Sequence, residues 1–230
     1  MAMTIDAEAV PGRAGTDRDA MAMRWVGPTT APMRWPDRLC LPLHFDANAL
    51  AADLARFERR AWTAHFVQQH YEGDWSALPL RAPAGATHPI MRIAPRPDCQ
   101  DWVDTELLDA SPHIRAALAI FDCALQAVRL MRLAPGSVIK EHRDFDLCAE
   151  QGVARLHVPI LTNPQVDFRL SGARVEMAPG SLWYLRLSDP HAVANRGTNP
   201  RVHLVIDAVV NPWLEALLDA GSAGPPRSVG

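Results

Sequence analysis

The chain is poor in cysteine and has no metal-type cysteine pair. Its four cysteines, Cys40, Cys99, Cys123 and Cys148, are scattered without Cys-x-x-Cys spacing. With no signal peptide and no long apolar span expected ahead of them, they argue against a disulfide framework and for a reducing cytoplasm. A basic block is also missing. Lys and Arg number 23 against 26 Asp and Glu, for a formal charge of −3, so nucleic acid and anionic membranes are not expected partners. No internal repeat is present, and nothing in the composition fixes an oligomeric state. The expected partners are small molecules or protein.

At 230 residues and 48% hydrophobic content, the chain can bury one sizeable core without needing a second domain. Residues 1–33 lack periodicity and contain Pro11-Gly12 and Gly27-Pro28, so a loose leader is expected there. A single domain is expected over 34–220, with a flexible tail over 221–230 opening on Gly221-Ser222-Ala223-Gly224-Pro225-Pro226. Apolar spacing predicts a helix from Ala47 towards Gln69, capped by Asp46 or Asn48, a second near His113 to Cys123, and a closing helix from Pro212. The intervening short strands, with Gly/Pro turns, predict a mainly β fold of the two-sheet jelly-roll type with flanking helices, its core at about 127–211.

The chemistry is concentrated in His142-Arg143-Asp144 and, downstream, His191. Two imidazoles and one carboxylate are what a mononuclear non-haem iron(II) oxygenase presents to its metal, with the opposite coordination positions left open. On a strand, His142 and Asp144 point to the same side and can reach one ion. Val128-Arg129-Leu130-Met131-Arg132-Leu133, the turn Ala134-Pro135-Gly136-Ser137, and Val138-Ile139-Lys140-Glu141 together predict a hairpin that delivers them at its edge. His44-Phe45-Asp46 and His70-Tyr71-Glu72 match the same His-x-acid pattern. The first lies against a helix start and is assigned to structure; the second lacks a strand context and is set aside. Cys148 is read as a small buried hydrophobe rather than a ligand.

Two further strands carry polar groups on one face. Arg201-Val202-His203-Leu204-Val205-Ile206-Asp207 alternates, placing Arg201 and His203 opposite Val202, Leu204 and Ile206. Arg155-Leu156-His157-Val158 does the same. Singly these residues are ordinary members of half-buried strands. Jointly, beside a metal triad, they describe an anion pocket.

The stretch from Val128 to Asn211 resembles the aspartyl/asparaginyl β-hydroxylase family of 2-oxoglutarate- and iron(II)-dependent dioxygenases. The likeness is carried by Leu133-Ala134-Pro135-Gly136, His142-Arg143-Asp144, Arg155-Leu156-His157-Val158-Pro159, Thr162-Asn163-Pro164, Gly180-Ser181-Leu182-Trp183-Tyr184, Pro190-His191 and the Arg201–Asp207 run. It implies a double-stranded β-helix, cupin-like core. It also implies His142, Asp144 and His191 as the iron ligands and catalytic centre, and Arg201 as the fork for the distal carboxylate of 2-oxoglutarate. For His157 it implies a contact with the metal-proximal carboxylate of that cosubstrate, and for Arg155 a contact with the substrate. Some relatives place a hydroxyl residue on the strand where this chain has Met131-Arg132, so cosubstrate contacts are expected to differ. Asn163, Trp183 and Asn195 are candidates for supporting the ligands, with turns and core packing as their plainer roles.

The activity so implied is hydroxylation of an amino-acid side chain, in a peptide or a free amino acid, with dioxygen as oxidant and 2-oxoglutarate converted to succinate and carbon dioxide. The alternative is a cupin-like metal-binding protein, whether isomerase, hydrolase or sensor, that does not use 2-oxoglutarate; a silent binding module is the third reading.

Overall fold

Asp46 starts the first helix: its carboxylate accepts the backbone N–H groups of Asn48 and Ala49, two of the donors a helix start leaves unpaired. In the computed structural model the described residues are 33–223 apart from 59, 61, 95, 97 and 98. The leader expected over 1–33 falls outside them but for Met33, as does the tail from residue 224. Strand β1 (Arg38–His44) precedes this helix, α1 (Ala47–Ala55). Then come β2 (Thr63–Ala64), β3 (Tyr71–Glu72), β4 (Trp75–Pro83), α2 (Pro89–Ile93), β5 (Trp102–Asp104), α3 (Glu106–Asp109) and α4 (Pro112–Leu118). The remainder is β6 (Leu125–Leu133), β7 (Val138–His142), β8 (Val153–Leu161), β9 (Val166–Leu170), β10 (Ala173–Arg174), β11 (Ser181–Leu185), β12 (His191–Asn195), β13 (Arg201–Val209) and α5 (Pro212–Ser222).

The strands form two antiparallel sheets. The large one runs β1-β11-β8-β13-β6-β4-β2, with β5 added to β4; the small one runs β10-β9-β12-β7-β3. This is the expected jelly roll. Strand parity then divides the side chains of the large sheet between two cores. Leu130, Leu156, Val158, Leu204 and Ile206 pack outward with Leu50, Leu54, Ile114, Leu118, Leu214 and Leu218 of the helices. Met131, Leu133 and Val205 pack inward with Ile139, Phe168, Leu170 and Val193 of the small sheet. Val202, Leu204 and Ile206 therefore meet the helices, as their alternation predicts. Leu204→Ala should destabilise the fold by about 2–5 kcal/mol, the range for a buried leucine whose surroundings relax only in part, read as a lower urea midpoint at unchanged slope.

Three expectations are corrected. The first helix ends at Ala55 rather than near Gln69, because Phe57 turns into the core and Thr63–Ala64 pairs with Ala77 and Ser76 on the edge of the large sheet. The second helical patch is helical over Pro112–Leu118; the buried carboxylate of Asp53 caps its start by accepting from His113 N and Ile114 N. The hairpin is not one. β6 pairs with β4 and β13, whereas β7 pairs with β3 and β12, so the Ala134–Ser137 turn carries the chain from one sheet to the other. Gly136 makes the crossing at φ +76°, and its N–H donates to Asn195 O.

Asn195 is fully buried. Its side chain donates to Leu133 O and Asn199 O and accepts from Asn163 and Gly197 N. Both asparagines thus lock turns. Trp183 packs against the inward core. α5 also runs past the expected boundary at 220, since Gly221 lies against β1: a Cβ there would stand 2.8 Å from Leu41 Cδ2.

Candidate metal centre

Sheet pairing, rather than a hairpin, brings the candidate ligands together. β12 lies antiparallel to β7 with His191 directly opposite His142, and their ring centroids are 4.2 Å apart. Asp144 is two residues beyond the end of β7, so strand parity does not aim it. A local turn does: Asp144 N–H donates to Leu187 O at 2.8 Å, and Leu147 N–H donates to Asp144 O at 3.1 Å. The three residues offer ligand atoms that all lie within 4.8 Å of one another.

The ring nitrogens are sorted by the backbone. His142 Nδ1 lies 2.8 Å from Lys140 O, and His191 Nδ1 lies 3.0 Å from Asp189 O. A carbonyl oxygen only accepts, so the hydrogen-bond network assigns the proton to Nδ1 in each ring and leaves the Nε2 lone pairs for a metal. Burial, and then the neighbouring His142, bring His191 down to about 4, which keeps it neutral as ligation requires. Asp144 divides its oxygens: Oδ1 stands 3.8 Å from His142 Nε2, and Oδ2 accepts from Arg155 Nη1 at 3.0 Å. This donor set fits iron(II), with one face left open.

The ligands edge a cavity of about 530 Å³ between the sheets, whose lining includes Arg129, Arg155, His157, Arg201 and Asp207. Arg155, expected to face substrate, has every guanidinium nitrogen committed to protein. Nε and Nη2 donate to Asp207 Oδ1 and Oδ2 at 2.6 and 2.9 Å, and Nη1 donates to Asp144. Burial opposes its charge, but Asp207 and Asp144 outweigh that and raise its pKa; the same contacts hold the buried Asp207 carboxyl low against its own desolvation. Arg155 thus orients the Asp144 carboxylate.

Arg201 differs. It is buried at the start of β13, donates from Nη2 to His203 Nδ1 at 3.0 Å, and stands 5.7 Å from the Phe168 ring centroid. Its Nε has no partner among the described residues. Desolvation brings it down to about 9, so it remains a cation at neutral pH. Because the guanidinium can only donate, His203 Nδ1 accepts. His157 Nδ1, 3.3 Å from the same atom, must then carry its own proton. Burial, followed by Arg201, holds both imidazoles well below their ordinary value. In this tautomer His157 Nε2 offers a lone pair, so a contact with a cosubstrate carboxylate needs the proton moved to Nε2.

Arg129, Asp207, His65 and Trp75, which the sequence analysis did not single out as site residues, also line the cavity. Arg129 and Asp207 share the inward parity of Met131 and of Arg201 and His203, which was the available signal. His65 and Trp75 had none, since their stack at 3.5 Å between centroids joins separate segments. Burial brings His65 to about 3, making it a neutral wall. His70 is not among the grouped ligands, yet it lines the cavity with its ring 5.2 Å from His142. Of the Met131-Arg132 pair, Met131 also lines it.

A two-sheet jelly roll holding two histidines and one carboxylate on one side of an interior cavity defines the mononuclear non-haem metal class. The chain belongs to the aspartyl/asparaginyl beta-hydroxylase family, whose model matches residues 45–211. It is 27% identical over 179 residues to the L-proline cis-4-hydroxylase of Rhizobium meliloti (strain 1021), a match that takes in 76% of this chain and 61% of that protein. It thus spans less than two thirds of that relative's length. Among solved structures it is similar to a 2OG-Fe(II) oxygenase family oxidoreductase from Burkholderia pseudomallei (16% identity, 75% and 85% of the two chains, TM-score 0.47). Another is a Pseudomonas putida prolyl-4-hydroxylase (13% identity, 76% and 93%, TM-score 0.45).

Proposed function

We propose that this chain is a 2-oxoglutarate- and iron(II)-dependent dioxygenase that hydroxylates an amino-acid side chain, converting 2-oxoglutarate to succinate and carbon dioxide. The observation that carries the reading is Arg201: a buried guanidinium with no carboxylate of the described residues against it, in the same cavity as the triad. A cation so placed is stabilised by an anionic ligand. A cupin-like isomerase or hydrolase has no use for a second carboxylate fork behind its metal.

His142 and His191 would hold iron(II) through Nε2 and Asp144 through Oδ1. Bound iron with dioxygen supplies the oxidising chemistry. Arg201 would take the distal carboxylate of 2-oxoglutarate, and Arg155 would keep Asp144 turned toward the metal. The apolar wall of Trp75, Met131 and Phe168 limits water around the reacting carbon. Kinship with a protein named as a proline hydroxylase favours an amino acid as substrate. No described helix is long and apolar enough to cross a membrane. The four free cysteines support a reducing cytoplasm as the compartment.

Anaerobic optical titration with iron(II) and then 2-oxoglutarate tests this, through the visible charge-transfer band of a chelated keto acid. The band should form in the unaltered chain. Arg201→Ala removes two charge-assisted hydrogen bonds, each worth roughly 1.5 kcal/mol or more, and should raise the 2-oxoglutarate requirement about 100-fold with iron still bound. Iron binding without a band would favour the cupin-like reading.

A further inference from the structure

Arg129 sits in the middle of β6, buried, with Nε and Nη2 unpartnered among the described residues. Its contact with Asp207, from Nη1 to Oδ2, is long at 3.4 Å. Asp207 is already held by Arg155 at 2.6 and 2.9 Å through Nε and Nη2, the guanidinium edge suited to gripping a carboxylate with two parallel bonds. On Arg129 that same edge is free. Two guanidinium groups therefore share one carboxylate, and with Asp144 serving the metal the subsite has one positive charge in excess.

This cation is not a second hold on 2-oxoglutarate. β6 and β13 pair with Arg129 opposite Val205, and Leu133 opposite Arg201. Four residues of strand separate the two arginines along the sheet, roughly 13 Å at 3.3 Å per residue, and the pull of Asp207 leans Arg129 away from Arg201. The carboxylate carbons of 2-oxoglutarate are four C–C bonds apart, at most about 6 Å. Arg129 is instead tied to the metal side of the cavity through Asp207, Arg155 and Asp144 in succession.

We propose that Arg129 anchors the substrate: its free Nε–Nη2 edge binds the α-carboxylate of a free amino acid, so the substrate is a free amino acid rather than a residue within a peptide. The inference rests on the dioxygenase reading above. The role that family likeness implied for Arg155 passes to Arg129 because the Arg155 nitrogens are committed to Asp207 and Asp144. An internal peptide residue has no α-carboxylate to match the excess charge. Ala77, Met131 and Trp102 in the same lining give the side chain of a small amino acid apolar neighbours.

The test uses the whole chain loaded with iron(II) and 2-oxoglutarate, scored by succinate released above the substrate-free background. The probes are the common L-amino acids, their carboxamides, and blocked tripeptides centred on aspartate, asparagine or proline. At least one free amino acid should stimulate release, and its carboxamide should be about 100-fold poorer in kcat/KM, as expected for loss of a bidentate charge-assisted contact. Arg129→Met should raise KM for the acid by a similar factor and erase the preference for acid over amide, with the optical band still formed. An amide or blocked peptide that serves as well as the acid overturns the proposal, as does an unchanged KM in Arg129→Met or the failure of every free acid to stimulate. Should Arg129→Met not fold, the acid-to-amide ratio of the unaltered chain decides. A missing band in the unaltered chain instead brings down the dioxygenase reading itself.

Discussion

His191→Ala is expected to abolish succinate formation and to weaken iron(II) binding by about 100-fold or more. The side chain supplies one of three protein donors, and no other described histidine is grouped with His142 and Asp144. His70 is the nearest replacement in kind, and its ring faces His142 at 5.2 Å, yet it sits on the opposite side of β7, on the segment that leads into β3. The fold should persist, because the backbone of residue 191 keeps its pairing with Leu170 and His142 whatever the side chain. Isothermal titration with iron(II) and the far-ultraviolet spectrum separate the two effects. Normal turnover in this variant would refute the assigned triad.

Asp207→Ala should have the largest effect on stability, about 3–5 kcal/mol, the range for removing one partner of a buried ion pair. Here two buried guanidinium groups lose their shared carboxylate. Only Arg155 keeps another, through Asp144. The loss should appear as a lower midpoint in chemical unfolding. A double variant, Asp207→Ala with Arg129→Met, should recover part of it, because Arg129 is the guanidinium left with no carboxylate and the bare charge matters more than the lost hydrogen bonds. A fall below about 1 kcal/mol in the single variant would mean that water reaches these groups and that the subsite is not sealed. The two predictions probe different things: the first the metal, the second the electrostatic floor of the cavity.

The candidate triad was legible because two histidines and one aspartate form a short pattern, and because β13 alternates so plainly. Val202, Leu204 and Ile206 on one face and Arg201 and His203 on the other follow from a period of two. The route by which the ligands meet was not legible. Continuous apolar text from Val128 to His142 reads as a hairpin, and only the pairing partners reveal that the turn between crosses sheets. The length of the first helix was misjudged because Thr63–Ala64 are drawn to an edge formed by distant residues. The fate of Arg155 was likewise hidden. Its partner Asp207 lies 52 positions away, and strand order, which no local pattern encodes, makes them neighbours.

The crossing turn at Ala134–Ser137 has a consequence for how such a protein can diversify. His142 and His191 stand on the small sheet, with Asp144 just beyond its edge, whereas Arg129, Arg155, His157, Arg201 and Asp207 stand on the large one. On the proposed reading, the residues that would hold the metal and those that would select the substrate are therefore carried on separate walls, linked across the cavity by the Arg155–Asp144 bond. On that reading, inward positions of β4 and β6 could be exchanged to admit a different molecule while His142, Asp144 and His191 stay in place, so a new specificity would be reachable by small steps that leave the triad untouched.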